Sequence, residues 1–246
     1  MAHINITFLG HASFLFETEA SEKIFFDPWL DDNPVCSLNI ADVKEAHVAC
    51  VTHGHLDHIG DSIAICKQTG ATLIGSPEIA MFANKYDVKY DVNSCPLNIG
   101  GSAKIGTVTY TQVRADHSTS MAEPDWLQTM NYSADGSVCG FVLTTDSGIV
   151  LYDSGDTGVF LDMQLISQMY GVQVAILPVG GKYTMGVREA ARAISLIRPE
   201  VMIPCHYNTF PNQMADINEL RRQAHDLSPH TRVVELKPGE TYSYKR

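Results

Sequence analysis

Short apolar runs, broken by glycine, proline and acidic residues, dominate the first part of the chain. Their β-branched and aromatic residues predict strands. These runs are INITFLG at 4–10, ASFLFET at 12–18, KIFFDPWL at 23–30 and HVACV at 47–51. A helix is predicted over 61–70, because Asp61 can act as its N-cap and Gly70 can end it.

The later part of the chain alternates between strand and helix patterns. A helix over 77–86 opens with Pro77, which suits a first helical turn. Further helices are predicted at 159–171, 185–200 and 212–227. Further strands are predicted at 71–76, 138–145, 148–157 and 172–181, with a strand pair within 100–115 and a strand that runs into a polar loop at 201–211. No short repeat or obvious linker interrupts this order, which favours one domain over residues 1–246.

Segment 118–137 is the only long stretch without clear periodicity. A loop of this length in a compact domain is typical of a lid or a binding loop. A partly ordered excursion explains the same pattern equally well, and both readings stay open.

Composition narrows the class of protein. Hydrophobic residues make up 45% of the 246 residues, enough for a sizeable core. No apolar run approaches the roughly 18–20 residues that span a bilayer, and the N-terminus lacks a basic region. A cytoplasmic location is therefore expected. The net charge of −11, without a Lys/Arg cluster, disfavours a nucleic-acid partner.

The six cysteines are scattered and form no C-x-x-C pair. Reduced thiols packed as small apolar residues are the better interpretation, and a zinc ribbon is disfavoured. Cys50 and Cys205 lie close to polar clusters in the sequence, which leaves a small chance of a functional role.

The stretch THGHLDHIGD at 52–61 carries the densest cluster of metal-capable side chains. His53, His55, Asp57 and His58 follow the apolar run 47–51 within six residues. Imidazole and carboxylate groups are good ligands for zinc, iron or manganese. In an extended loop His53 and His55 point the same way, whereas Asp57 and His58 point elsewhere, which suits a second metal beside the first.

Three later polar residues also follow apolar strands. They are His117 in VRADHS, Asp156 in YDSGDTG and His206 in IPCHYNTFP. Ligand sites gather at such strand ends in layered α/β folds. Taken singly, the histidines could be structural and Asp156 could form a turn, but their order after the 52–61 motif favours a metal site.

Together, THGHLDHIGD, DHS, SGDTG and PCHYNTFP resemble the metallo-β-lactamase superfamily. GHASF at 10–14, DPWL at 27–30, GGKYTMG at 180–186 and HYNTFP at 206–211 are similar to signatures of its UPF0173/UlaG-like group of metal-dependent hydrolases. The resemblance implies a four-layer αββα sandwich, in which two mixed β-sheets lie face to face with helices outside. The strand–helix alternation alone would also have allowed a doubly wound sheet.

The resemblance also implies two divalent metal ions, with zinc the first choice and manganese, iron or nickel accepted by the same donors. His53, His55 and His117 would hold the first; Asp57, His58 and His206 would hold the second; Asp156 would bridge them. A metal-bridging hydroxide would then cleave a small ester, lactone, amide or phosphoester, with Asp57 and Asp156 as catalytic residues.

Five further residues are candidates near this centre. His11 and Lys182 could take part in catalysis, and Tyr183 and Asn208 in binding a small-molecule substrate. Asp27 could accept a hydrogen bond from a metal-bound histidine. The alternatives are a strand-turn histidine for His11, an exposed loop pair for Lys182 and Tyr183, and hydrogen bonding within the loop for Asn208.

Rival functions also remain at this point. A mononuclear iron oxidoreductase of the dioxygenase type could use the same scaffold, since HxHxDH also occurs in one-iron relatives. A nuclease or phosphodiesterase is disfavoured by the net charge of −11. A scaffold that keeps metals for folding alone is disfavoured by the complete ligand set. The sequence leaves homo-oligomerisation open.

Overall fold

Two seven-stranded sheets and a set of helices make up the computed structural model of the chain, which describes residues 2–36, 38–122, 132–133 and 138–246. The strands in chain order are β1 (His3–Gly10), β2 (Ser13–Thr18), β3 (Lys23–Phe26), β4 (Val48–Cys50), β5 (Thr72–Gly75), β6 (Ser94–Pro96), β7 (Ser102–Ile105), β8 (Val108–Arg114), β9 (Met121–Ala122), β10 (Tyr132–Ser133), β11 (Cys139–Thr145), β12 (Val150–Asp153), β13 (Val174–Pro178), β14 (Val201–Cys205), β15 (Arg232–Val233) and β16 (Thr241–Lys245).

The described helices lie mostly between the strands. They are α1 (Leu56–Ile59), α2 (Ser62–Thr69), α3 (Pro77–Asn84), α4 (Met163–Tyr170), α5 (Val187–Ile197) and α6 (Ile217–Leu227), with a 3-10 turn at Ile40–Asp42. Within the described parts of the chain, no helix is long and apolar enough to cross a membrane.

Both sheets are mixed. The first has the order β16-β1-β2-β3-β4-β5-β6, antiparallel from β16 to β3 and parallel from β3 to β6. The second has the order β15-β14-β13-β12-β11-β8-β7, parallel from β15 to β12 and antiparallel from β12 to β7.

Alternate residues of the strands divide between an inner and an outer core. In β13, Val174 and Ile176 join the core between the two sheets, whereas Ala175 and Leu177 face the helix layer. This follows from the two-residue side-chain period of a strand. The inner core contains residues of both sheets, such as Phe26 and Phe141, whose rings lie 6.0 Å apart.

Helices cover the two outer faces. Ile65 of α2 and Ile79 of α3 pack with the first sheet, and Ile166 of α4, Ile194 of α5 and Leu220 of α6 pack with the second. The layers are therefore helix, sheet, sheet and helix. The predicted αββα sandwich of two mixed sheets is confirmed.

Several element ends differ from the predicted ones because local conformation stops the regular structure earlier. The strand predicted at 23–30 ends at Phe26, because Asp27 adopts a positive φ of 42°. The helix predicted at 212–227 begins at Ile217, where the Asp216 side chain accepts hydrogen bonds from two backbone amides. The helix predicted at 185–200 ends at Ile197, before Arg198 at a φ of 55°.

Two other elements are also shorter in the structure than predicted. The helix predicted at 159–171 covers only Met163–Tyr170, and the strand predicted at 148–157 covers Val150–Asp153. Asp61 precedes α2, as predicted, but its side chain does not cap that helix. Its Oδ2 atom instead accepts a 2.7 Å hydrogen bond from the backbone amide of Leu30.

Most of the predicted lid at 118–137 lies outside the described residues, which resume at 132–133 and 138. The described remainder lies close to the 52–61 motif. The Thr119 hydroxyl accepts a 3.2 Å hydrogen bond from the Gly54 amide, and β9 pairs with β10. A lid function of the whole segment stays a prediction.

Candidate metal centre

Strand direction brings the predicted ligands to one edge of the sandwich. In the first sheet β1, β3 and β4 run the same way, and their ends lead into His11, Asp27 and His53. In the second sheet β8, β12 and β14 share a direction and lead towards His117, Asp156 and His206. Carboxyl ends of strands that share a direction meet at one edge, so residues distant in sequence converge.

His53, His55 and His117 form the first candidate ligand group. Each presents one ligand atom, and these atoms lie within 4.8 Å of one another. His53 Nε2 lies 2.9 Å from His55 Nδ1. The structure therefore brings together the three histidines that were predicted to hold one metal.

Asp156 lies at the centre of the remaining predicted ligands. Its Oδ2 atom is 3.1 Å from His206 Nε2, 3.3 Å from His58 Nε2 and 3.6 Å from His117 Nε2. The residue is 3% exposed. One buried carboxylate thus contacts a histidine of the first group and two histidines outside it.

His11 belongs to a second candidate group with Asp57 and His206. Their ligand atoms also lie within 4.8 Å of one another. His11 Nε2 lies 3.0 Å from Asp57 Oδ2, and His11 Nδ1 lies 2.9 Å from the Thr209 hydroxyl. His11 is therefore part of the centre, not an isolated strand-turn histidine.

Asp27 supports the centre from behind. Its Oδ2 atom accepts a 2.7 Å hydrogen bond from His58 Nδ1 and a 2.6 Å bond from the Thr52 hydroxyl. Its Oδ1 atom accepts from the Thr52 amide at 2.8 Å. This is the arrangement predicted for Asp27, in which a carboxylate orients the ring of a ligating histidine.

Left-handed backbone conformations cluster at this edge. His11, Asp27, His206 and Asn208 have φ values of 57°, 42°, 55° and 58°. Such conformations are costly for residues other than glycine, and they concentrate at functional sites. A 2.6 Å hydrogen bond from the His206 amide to the His11 carbonyl joins two of these residues across the sheets.

Burial lowers the pKa of four imidazoles in the centre. The pKa of His53 lies well below its ordinary value, and the pKa values of His11, His55 and His117 are lowered by the same cause. A histidine must be neutral to bind a metal. These four rings are therefore held in the form that a cation needs.

Oppositely charged neighbours shift the pKa values of His206, Asp156 and His58 against the effect of burial. Burial alone would lower the pKa of His206, but the Asp156 carboxylate raises it to about 9. Burial alone would raise the pKa of Asp156, but His206 and His58 hold it well below its ordinary value. The pKa of His58 is raised well above its ordinary value, against its burial, by Asp156 and Asp27.

The donor set fits a divalent cation. His58 Nε2 is buried and has no hydrogen-bond partner among the described residues, although it faces Asp156. Two imidazole nitrogens, of His53 and His55, also approach each other closely. A cation held by such nitrogens and by carboxylate oxygens would satisfy them, and this donor set suits zinc, manganese or iron.

Comparisons with known proteins agree with this centre. A family model described as a beta-lactamase superfamily domain matches residues 5–206. The UPF0173 metal-dependent hydrolase of Methanopyrus kandleri is 42% identical over 239 residues, covering 97% of this chain and 99% of that protein. The chain belongs to the UPF0173 metal-dependent hydrolases of the β-lactamase superfamily. The predicted family and the predicted enzyme class are confirmed.

Two further relatives extend the comparison. The UPF0173 metal-dependent hydrolase of Archaeoglobus fulgidus is 39% identical over 243 residues, covering 99% of this chain and 100% of that protein. Igni18, a metallo hydrolase from Ignicoccus hospitalis, has a solved structure that matches with a TM-score of 0.85 and 32% identity. That match covers 99% of each chain, so the fold shared with this metallo hydrolase extends over nearly all of the sequence.

A cavity of about 500 Å³ opens onto the metal centre of this UPF0173 hydrolase. His55, Asp57, His117, Asp156 and His206 form its floor. Its other walls include apolar side chains and Tyr183, the predicted substrate-binding residue. A small substrate bound here would contact the predicted ligands directly.

Two predicted site residues, Lys182 and Asn208, neither line this cavity nor belong to a candidate ligand group. Lys182 is exposed, and its Nζ atom lies 5.1 Å from the centre of the Tyr183 ring. The Asn208 side chain accepts a 3.1 Å hydrogen bond from the Ala215 amide, which is the loop role considered for it. A catalytic role for Lys182 and a binding role for Asn208 stay predictions.

Sequence reasoning missed the apolar walls and one polar neighbour. Trp29, Leu56 and Phe210 line the cavity, and Thr209 contacts His11. All four lie within or beside the motifs DPWL, THGHLDHIGD and HYNTFP, so position next to a ligand was the available signal.

Cys50 and Cys205, which lie close to polar clusters in the sequence, belong to none of the candidate ligand groups among the described residues. Burial raises the pKa of Cys50 and of Cys205 well above the ordinary value for a thiol. A thiol needs to ionise to act as a nucleophile. The six cysteines are all free, as predicted.

Proposed function

We propose that the chain is a dinuclear metal-dependent hydrolase that cleaves a small ester, lactone, amide or phosphoester. His53, His55 and His117 would hold one cation. Asp57, His58 and His206 would hold the other, and Asp156 would be shared. The observation that carries this proposal is the central position of the Asp156 carboxylate, whose Oδ2 atom lies within 3.6 Å of histidines from both sets.

When bound, two divalent cations lower the pKa of a shared water and polarise the bond under attack. The chain's own residues would orient the reactants. Asp57 lines the cavity and its side chain is 30% exposed, so its carboxylate can accept a hydrogen bond from the attacking water and orient it. His11 holds Asp57 from the buried side, and Asp27 holds His58.

Side-chain nucleophiles are not needed for this reaction. The buried Cys50 and Cys205 thiols stay protonated because burial raises their pKa values.

The test combines metal analysis with a substrate panel. Protein purified without added metal is analysed for its metal content and assayed with chromogenic esters, lactones, amides, thioesters and phosphodiesters. Wild type is expected to hold two zinc or manganese equivalents and to hydrolyse at least one class. Asp156→Asn is expected to lose at least one equivalent and about 10³-fold in kcat/KM, as loss of a central group in the site does.

Two controls accompany the test. His55→Ala removes a ligand of the first cation, and Asp226→Asn changes an exposed carboxylate on α6. One iron per chain without hydrolysis would favour the oxidoreductase alternative. Full metal content and activity in Asp156→Asn would contradict the proposal.

A further inference from the structure

Exposed apolar side chains surround the mouth of the cavity above the metal centre. Leu56, Tyr183 and Phe210 line it and are 38%, 54% and 37% exposed. Large apolar side chains that are exposed singly need no explanation, but a cluster at one concave site marks a binding surface. The mouth therefore offers an apolar contact to part of a ligand.

The Phe210 and Trp29 side chains pack against each other at this site. The Phe210 ring stacks on Trp29, with centroids 6.4 Å apart and planes at 29°, and contacts the edge of His11 at 5.8 Å. The backbone amide of Trp29 donates to the Ser13 hydroxyl at 3.0 Å. This wall is thus preorganised, which reduces the entropic cost of binding.

A second cavity continues from the first over the same two rings. It has a volume of about 530 Å³ and is lined by Tyr183, Phe210, Pro211, Asn212 and Gln213. Tyr183, Phe210 and Gln213 line both cavities. A ligand whose reacting group lies on the metal centre can extend across these rings into the second cavity.

No lysine or arginine is found among the described residues that line either cavity. The second cavity also has no acidic lining residue within the described ranges. Lys182 is adjacent in sequence, but its ammonium group lies against the Tyr183 ring and lines neither cavity. An anionic tail would therefore lose its hydration without gaining a charge partner.

We propose that the substrate is an ester, lactone or amide whose non-reacting part is uncharged and apolar, and that Tyr183 and Phe210 bind this part. This proposal rests on the proposed hydrolytic function for its reacting group. Phe210 and Tyr183 determine specificity, because they form the shared wall between the two cavities.

A series of 4-nitrophenyl esters tests the proposal. The acyl group grows from acetate through butyrate to hexanoate, and the adipate monoester supplies a charged counterpart of the same length as hexanoate. We expect kcat/KM to rise about two- to fourfold per methylene, which is the range for burial of a CH₂ group. The adipate monoester is expected to react at least tenfold more slowly than the hexanoate ester.

Three variants test whether Tyr183 and Phe210, which line both cavities, cause the dependence of kcat/KM on acyl length. Phe210→Ala is expected to lower the ratio of hexanoate to acetate kcat/KM about tenfold, and Tyr183→Ala to lower it less. Phe210→Leu should restore most of the ratio because it keeps an apolar side chain. Met214→Ala is the matched control, since Met214 is 65% exposed on the neighbouring loop and lines neither cavity.

A binding measurement separates this proposal from the proposed function. Saturation-transfer NMR with 4-nitrophenyl hexyl ether, which cannot be hydrolysed as an ester, should show contact with wild type and about tenfold weaker binding to Phe210→Ala. If no member of the substrate panel is hydrolysed but this binding pattern holds, the hydrolytic function fails and the apolar site stands. If turnover is independent of chain length, or equal for adipate and hexanoate, the apolar site is contradicted. The proposed hydrolytic function is not affected by that result.

Discussion

Asp27 fixes the ring of His58 through a 2.7 Å hydrogen bond from His58 Nδ1 to Asp27 Oδ2. Both side chains are buried, and the bond turns the other nitrogen of the ring towards Asp156, 3.3 Å away. A residue that binds no cation itself thereby sets the direction of one predicted ligand.

Replacing Asp27 by Asn tests this arrangement. Asn tolerates the positive φ at this position, so the backbone is preserved while the carboxylate is lost. We expect metal affinity to fall about 10- to 100-fold, as is usual when the partner behind a ligating histidine is removed. Competition with a chromophoric chelator measures the change, with the exposed Asp32→Asn as control. Equal affinities in the two variants would contradict the assignment.

His11 is expected to position Asp57 for the second cation. In His11→Asn, the positive φ is again tolerated, but the contacts to Asp57 and Thr209 are lost. We expect the affinity for the second metal equivalent to fall about 10- to 100-fold while the first equivalent is retained. Isothermal titration with zinc resolves the two equivalents.

Thr209→Ala is a milder variant to compare with His11→Asn. It removes only the partner of His11 Nδ1, so a smaller loss of affinity is expected. If both variants bind two equivalents as tightly as wild type, His11 has no part in holding Asp57.

Gly60, at the end of α1, is required by a close backbone approach. A Cβ atom there would meet the carbonyl oxygen of Pro28 and would lie 2.7 Å from Trp29 Cα. Its φ of 33° adds strain for any other residue. Gly60→Ala is therefore expected to lower the free energy of unfolding by about 2–5 kcal/mol, from backbone strain and overpacking together.

Gly70→Ala is the matched control for that measurement. Gly70 also has a positive φ, of 79°, but a Cβ atom there would have no neighbour within 4 Å. We expect a loss of only about 1–2 kcal/mol from strain alone. Urea denaturation of both variants gives the comparison, and equal losses would show that the contact with Pro28 and Trp29 is unimportant.

The pKa shifts predict how the stability of the metal-free protein depends on pH. The pKa of His206 is raised to about 9 by Asp156, so the stabilisation from its proton is complete below the unfolded value near 6.5 and is lost as pH rises through about 9. We expect the free energy of unfolding to fall from pH 6.5 to 8, with a slope on the order of 1 kcal/mol per pH unit for one proton.

Chelator-treated protein, denatured with urea at several pH values, gives this profile. His206→Gln should reduce the slope between pH 6.5 and 8 without abolishing it, because Asp156 and Asp27 also raise the pKa of His58, against its burial, and that proton acts in the same direction. The lowered pKa values of His53, His55 and His117 act in the other direction and reduce stability below about pH 6.5. A slope that is unchanged in His206→Gln would assign the pH dependence to other groups.

The sequence by itself determined the strands, the helices and most members of the centre, whereas the four-layer arrangement came from the family resemblance, because the strand–helix order alone also allowed a doubly wound sheet. Nearly continuous apolar runs such as VQVAIL predict strands that are buried on both faces, and helical spacing predicts the helices that cover them. The cluster at 52–61 and the polar residues after later strands predicted which side chains converge. These features depend only on residues that are neighbours in the sequence. They are the periodicity within a strand and the residue that follows the strand's end.

Only the tertiary structure decided how these residues meet. His11, Asp57 and His206 are far apart in sequence, and their contact depends on strand order and on positive φ values that tertiary contacts maintain. Tertiary contacts also decided the stacking of Phe210 on Trp29 and the outward position of Lys182. The direction of a loop side chain is set by packing and hydrogen bonds with other segments, which local spacing does not encode.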